Sequence, residues 1–223
     1  MKAKPSAYSL DIVYEDSMCI VVNKPAGLAV QGGKGIGVCL DSILASSFEQ
    51  RPLLVHRLDR DTSGLILVAK NAASANAFSK LLAGGAGART VTKRYTAVCS
   101  RPPEKPEGII RLELETHGKT RKSETRYRLV RELAGGFSLV ELELGTGRMH
   151  QIRRHLAMTG SPVLGDDKYG DFALNRSLHK THGLRRLLLH ASRLIIPQMP
   201  GGSKLDIQAP LPEHFRDFVD SGT

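Results

Sequence analysis

The sequence predicts an α+β fold with a mixed, mostly antiparallel central sheet and flanking helices and loops. Three observations lead there. Strand-like runs outnumber helical ones and do not alternate with them regularly. Several runs alternate strictly: Thr125, Tyr127 and Leu129 with Arg126 and Arg128, and Val140, Leu142 and Leu144 with Glu141 and Glu143. A strand with one apolar and one wet face is the antiparallel habit. The chain has 223 residues, 41% hydrophobic and 24% charged, enough for a large core in one domain or a two-lobed one.

Taken in order, Ile12-Val13-Tyr14 and Cys19-Ile20-Val21-Val22 read as strands across the turn Glu15-Asp16-Ser17, and Lys24-Pro25-Ala26-Gly27 stops the second. Residues 37–50 read as a helix with Leu40, Ile43, Leu44 and Phe48 on one face. Residues 55–58 and 65–69 are short apolar runs around Asp61-Thr62-Ser63-Gly64. Residues 72–82 read as a second helix, broken by Gly84-Gly85-Ala86-Gly87. Strands follow at 94–99 and 109–114, whereas 84–87 and 117–122 read as glycine-rich loops. A helix is expected over 149–158 with Met149, Ile152 and Leu156 inward, then strands at 187–196 and 205–207, and a last helix over 211–219 after Pro210.

No apolar run approaches the roughly 20 residues of a membrane helix, and Met1-Lys2-Ala3-Lys4-Pro5 has no signal-peptide character. A cytoplasmic location, with no membrane association, is the expectation. Cys19, Cys39 and Cys99 are few and widely spaced, which suggests reduced thiols. The net charge of +10 favours a polyanionic partner. Basic residues cluster at Lys119, Arg121, Lys122, Arg126, Arg128 and Arg131, with Glu124 the only acid among them. Others sit at Arg89-Lys93-Arg94, Arg148-Arg153-Arg154 and Arg185-Arg186. Aromatics are only 5% and Trp is absent, so charge and shape are expected to outweigh base stacking.

Some motifs fail on inspection. Gly27 to Lys34 lacks the Gly-Lys-Ser/Thr ending of a phosphate-binding loop. His56-Arg57-Leu58-Asp59 is like a kinase catalytic loop, but its Asp is one place late and no Asp-Phe-Gly follows. His150 and His155 lack metal-ligand spacing, so no metal is expected. Two segments hold more. Val55 to Leu65 packs Arg57, Asp59, Arg60 and Asp61 into what reads as a turn-ended strand. Thr146 to His155 places Arg148, His150 and Gln151 where a helix begins, which suits an anion. Alone, the first would be a salt-bridged loop and the second a solvated helix face.

Together they resemble the RluA family of pseudouridine synthases. His56-Arg57-Leu58-Asp59 with Thr62-Ser63-Gly64 is similar to its catalytic motif, and Lys93-Arg94-Tyr95 to its Lys-x-Tyr motif. Thr146-Gly147-Arg148 through His155 is similar to the third, followed by Gly160, Pro162, Leu164-Gly165-Asp166 and Tyr169-Gly170. Leu189-His190-Ala191 fits the closing segment, and Asn23-Lys24-Pro25 with Gly27 the opening one. The likeness runs in order from about residue 11 to about residue 212.

The resemblance implies a single pseudouridine synthase catalytic domain over 1–223. It also implies an RNA isomerase that cleaves the N1–C1′ bond of uridine, turns the uracil and rejoins it through C5, with no cofactor. Asp59 matches the catalytic carboxylate. It would act either as a nucleophile at C1′ or as the base that takes the C2′ proton. Tyr95 matches the active-site tyrosine that stacks on uracil, and Arg153 the charge partner of the carboxylate. RNA contact is assigned to Arg57, Arg148, His150, Gln151 and Leu189. Reaching a uridine within folded RNA requires flipping it out, at a few kcal/mol. The likeness begins too early to leave room for the small RNA-binding module many relatives carry, so selection is expected to rest on the catalytic domain or RNA shape. Large-subunit ribosomal RNA is the favoured substrate and transfer RNA the alternative. A monomer is the default. Readings from other classes are a non-catalytic RNA-binding or ribosome-assembly protein on this fold, and a glycosidase releasing free uracil.

Overall fold

The computed structural model describes residues 9–33, 35, 37–84, 91–116, 118–200 and 202–221. The chain divides into two compact units, Met1–Lys93 with Ala191–Pro210 and Arg94–His190 with Leu211–Thr223. The described strands and helices form the expected α+β architecture, and every described ladder is antiparallel.

In the first unit β1 (Ile12–Glu15) pairs with β2 (Cys19–Lys24), and β2 pairs with β4 (Ser63–Ala69). The two-residue β3 (Leu53–Leu54) also joins β4. β9 (Leu189–Ile196) lies beside β4 and carries β10 (Leu205–Gln208). All seven residues of β4 are buried, as its unbroken apolar run requires. α2 (Ala72–Ala83) starts where the Asn71 side chain accepts from Ser74 N and sinks Phe78 among Val21, Leu67 and Leu194. The first helix is shorter than expected. α1 (Leu40–Ser47) is bounded by extended backbone at Cys39 and Phe48, although Leu40, Ile43, Leu44 and Phe48 are all buried. Residues 85–90, including most of the expected glycine break, lie outside the described residues.

In the second unit the order is β5 (Thr92–Cys99), β8 (Phe137–Leu144), β7 (Lys119–Leu133), β6 (Glu107–Thr116). The expected loop at 117–122 is corrected here. Lys119–Lys122 belong to β7 and pair with Glu113–Thr116. The polar sequence hid the strand because its partner is equally polar. α3 (Gln151–Met158) buries Ile152 and Leu156, whereas Met149 precedes it. α4 (Phe172–His182) has no counterpart in the sequence reading; Leu178 is its one buried residue. α5 (Glu213–Ser221) packs Phe215, Phe218 and Val219 with Leu178 and Leu188.

The sheet register also revises the basic cluster. Arg128 reaches Glu141 at 3.2 Å, Arg94 reaches Glu143 at 3.1 Å, Arg111 reaches Glu124 at 3.0 Å, and Arg126 lies 3.6 Å from Glu124. Cross-strand glutamates thus counter charges that look unopposed along the chain. Exposed pairs of this kind contribute at most about 1 kcal/mol each, so a phosphate could still compete for the arginines.

Gly64 shows why its motif ends in glycine. Its φ is 107°, and a Cβ there would lie 2.3 Å from the Ala191 carbonyl oxygen. Gly64→Ala is expected to cost roughly 2–6 kcal/mol, combining left-handed strain and overpacking. A urea midpoint unchanged from wild type would contradict this.

Candidate active site

Asp59 sits in the first unit on the loop between β3 and β4. Residues 55–62 are irregular, not the turn-ended strand expected, because side chains hold them in place of a ladder. His56 is the first anchor. Its Nε2 accepts from Leu67 N at 2.9 Å. Burial, then the Lys93 charge, push this imidazole down to about 3, against a hydrogen bond with the Arg57 backbone. It is therefore a neutral anchor and not an acid–base group at pH 7. Leu58 is buried, Asp59 is half-buried and Arg57 is exposed.

Lys24 is the second anchor. Its side chain is fully buried, and Nζ donates to the carbonyls of Pro25, Leu28 and Arg60 at 2.9, 2.8 and 2.9 Å. Gly27 N and Arg60 O, 2.9 Å apart, close the same loops together. Burial lowers the ammonium to about 7, opposed by the carboxylates of Asp61 and Asp59. Lys24 thus supplies a cation behind the residues that flank Arg60. The sequence placed it in the opening motif without a role; a lysine ending an apolar strand before Pro25 was the available signal. Lys24→Met strips the donor from three carbonyls, one of which also accepts from Gly27 N. A loss of about 3 kcal/mol is expected, together with a lower kcat. Thermal unfolding and single-turnover rates test this; an unchanged melting temperature would remove the anchoring role.

The other expected site residues belong to the second unit. Tyr95 is buried on β5, opposite Leu142. Leu189 opens β9 and is buried. The remaining four cluster at the start of α3. His150 is its N-cap, with φ 53° and ψ 28°, and is the one non-glycine of positive φ among the described residues. Such a conformation costs on the order of 1–2 kcal/mol and is held by its surroundings. The His150 Nδ1 lies 3.0 Å from the Tyr169 hydroxyl.

Gln151 is buried, and its amide is fully engaged. Oε1 accepts from Thr146 Oγ1 and Arg148 N, while Nε2 donates to Glu124 O and Thr125 Oγ1. Its geometry is that of a clamp on the Thr146–Arg148 loop. Arg148 is half-buried, and its Nε is buried without a hydrogen-bond partner among the described residues. A desolvated guanidinium N–H of that kind suits an anionic ligand.

Arg153 makes a fork with Asp166. Nε donates to Oδ2 at 2.8 Å and Nη2 to Oδ1 at 2.7 Å, and Nη2 also reaches Asp167 at 3.2 Å. Nη1 lies outside this fork. The guanidinium stands 5.3 Å from the centre of the Tyr169 ring. Burial raises the Asp166 carboxyl, but hydrogen bonds from Arg153, Tyr169 N and Lys168 N outweigh it and the net shift is downward. Asp166 and Tyr169 stand in the sequence motif, but their roles appear only with the fold. A further bolt holds α3: Ser123 Oγ donates to Leu112 O at 2.6 Å and lies 2.7 Å from His155 Nε2, so the imidazole donates to the hydroxyl.

Among the described residues no group of three or more His, Cys, Asp or Glu is placed to hold a metal ion, and no helix is long and apolar enough to cross a membrane.

Residues 18–158 match the family described as RNA pseudouridylate synthase. The chain is 37% identical to the ribosomal large subunit pseudouridine synthase C of Rickettsia felis, over 94% of this chain and 70% of that protein. It is 35% identical to an RNA pseudouridine synthase of Bacillus subtilis, over 95% of this chain and 72% of the other. Among solved structures, human RNA pseudouridylate synthase domain containing 4 superposes with a TM-score of 0.77 at 27% identity, covering 94% of this chain and 91% of that one.

Proposed function

Because the chain belongs to the RNA pseudouridylate synthase family and is an RNA pseudouridine synthase, we propose that its substrate is a uridine of large-subunit ribosomal RNA and that Asp59 carries the isomerisation. The observation behind the substrate is the 37% identity, across nearly the whole chain, to a relative named for that RNA. The observation behind Asp59 is its place in the ordered motifs, on a loop built around a buried ammonium.

The carboxylate attacks C1′ as a nucleophile or removes the C2′ proton; in both routes the N1–C1′ bond breaks and the freed uracil turns before C5 bonds to C1′. At the end C5 loses its proton and N1 takes one up, and in the second route C2′ regains the proton it gave to the carboxylate. No electrons are transferred and product and substrate are isomers, so no redox cofactor is called for. Tyr95 stacks on the uracil. Arg153 serves as the charge partner of Asp59, its outward face set by the Asp166 fork. Arg57, Arg148, His150 and Leu189 contact the flipped nucleotide and its phosphates, and Gln151 holds the loop that presents Arg148. The protein works in the cytoplasm as a monomer.

The test is a position-resolved pseudouridine map of RNA from cells lacking the gene. Loss of one or more large-subunit sites is expected. Unchanged ribosomal sites with loss of a transfer-RNA site would overturn the substrate and select the transfer-RNA reading.

A further inference from the structure

The second unit contains a cavity of about 520 Å³ that the catalytic assignment does not use. The end of α4 forms one wall, with His182 and Gly183. The following loop forms a second, with Leu184, Arg185 and Arg186, and α5 forms the third, with His214, Asp217 and Phe218. The volume falls in the range of small-ligand sites.

Its floor is rigid. Leu184 and Phe218 belong to the buried cluster with Leu178 and Phe215. The Phe218 ring lies 6.0 Å from that of His182, tilted by 52°. Its rim carries two exposed guanidinium groups, Arg185 and Arg186, against one exposed carboxylate, Asp217. One polar atom is left over. His214 Nε2 is buried and has no hydrogen-bond partner among the described residues. Burial, then the Arg186 charge, lower the pKa of this ring, against the Asp217 carboxylate and a hydrogen bond with the Leu187 backbone, so the imidazole is neutral at pH 7. With Nδ1–H donating to Leu187, Nε2 is a bare acceptor. An acceptor buried and unpaired is destabilising, and a ligand donor would satisfy it.

A phosphate for the guanidinium groups, a flat ring for Phe218 and His182, and an amine or hydroxyl for Nε2 are the three parts of one nucleotide. We infer that this pocket is an accessory RNA subsite. It takes one unstacked nucleotide of the substrate strand, with its phosphate on Arg185 and Arg186, its base beside Phe218 and an exocyclic amine or 2′-hydroxyl on His214 Nε2. The inference rests on the chain's RNA-modifying activity but not on which RNA is its target. The pocket would add selection beyond the flipped uridine.

Two variants separate its parts. Arg185→Ala with Arg186→Ala removes the phosphate contacts. His214→Asn keeps a donor for Leu187 in the place of Nδ1 and removes Nε2. The first readout is the NMR signals of the His214 and Phe218 rings during titration with hexa-adenylate, with adenosine monophosphate as a second arm. Hexa-adenylate is expected to shift both rings, with affinity reduced about tenfold by the double variant and severalfold by His214→Asn. The second readout is tritium release from ribosomal RNA labelled at C5 of uridine, where KM should rise in both variants and kcat stay unchanged. Ring signals unmoved by hexa-adenylate overturn the inference. So does loss confined to the arginine variant, which means surface charge alone, and so does a response to the mononucleotide as strong as to the oligomer, which means a small-nucleotide site. If the wild-type enzyme releases no tritium from ribosomal RNA, the substrate proposal fails, while the hexa-adenylate titration still decides the pocket.

Discussion

Asp59→Ala is expected to end tritium release from RNA labelled at C5 of uridine while changing the Kd for that RNA by less than about threefold. The separation follows from where the residue sits. Asp59 is one half-buried carboxylate on a loop whose shape is set by Lys24, His56 and Gly64. Those three anchors stay in place in the variant. With a net charge of +10, RNA affinity is expected to come from cations elsewhere, and the loss of one anion would weaken it little. The size of the rate loss also bears on mechanism. Removing a general base costs about 10²–10⁴-fold, whereas removing a nucleophile that forms the intermediate costs on the order of 10⁴–10⁶-fold. Asp59→Asn, which keeps the shape, should fall as far as the alanine variant. Undiminished release by either variant would take Asp59 out of its role, and free uracil as product would place the enzyme among glycosidases.

How far these residues could be read before the fold was known depended on what each does. Asp59, Tyr95 and Arg153 sit in short ordered motifs, so their positions were legible as residue types in a row. The apolar strands were legible too, because burial on one or both faces leaves a period in the sequence. What escaped was whatever depends on a partner far along the chain. β7 hides its first four residues because their side chains are polar and only the pairing with β6 makes them strand. Arg128 and Arg94 looked unopposed because Glu141 and Glu143 arrive from β8. α4 escaped because a helix with only Leu178 buried has almost no hydrophobic period, although Asp171 caps its start and Gly183 adopts φ 64° at its end. Gln151 was legible as a polar residue beside an anion-facing turn, but its four hydrogen bonds require Glu124 and Thr125, which precede it by 27 and 26 positions. Lys24 is the sharpest case: a lysine read from sequence is a surface cation, whereas here three carbonyls enclose it.

The Arg153–Asp166 pair carries the largest expected stability effect. Arg153 and Asp166 side chains are only 5% and 1% exposed, so each charge depends on the other for the solvation it has lost. Asp166→Ala strips the guanidinium of its two-pronged carboxylate, and it also removes the acceptor of Lys168 N and Tyr169 N. A loss of about 3–5 kcal/mol follows for breaking one side of a buried pair. Removing both charges together, as Arg153→Met with Asp166→Leu, should cost less than the single change, because an apolar pair of similar volume can replace a buried ion pair with little net loss. Activity should separate from stability: the double variant folds but does not turn over, because Arg153 is gone. The pH dependence has a definite sign. The carboxyl's pKa is lowered on folding, so the folded state binds fewer protons than the unfolded one near pH 4. The pair's contribution is complete above the unfolded carboxylate pKa and is lost as pH falls through the lowered folded value. Urea midpoints measured from pH 7 down to about 3 should therefore drop more steeply for wild type than for Asp166→Asn. Parallel curves, or a double variant less stable than Asp166→Ala, would show that Arg153 is held by something other than this carboxylate.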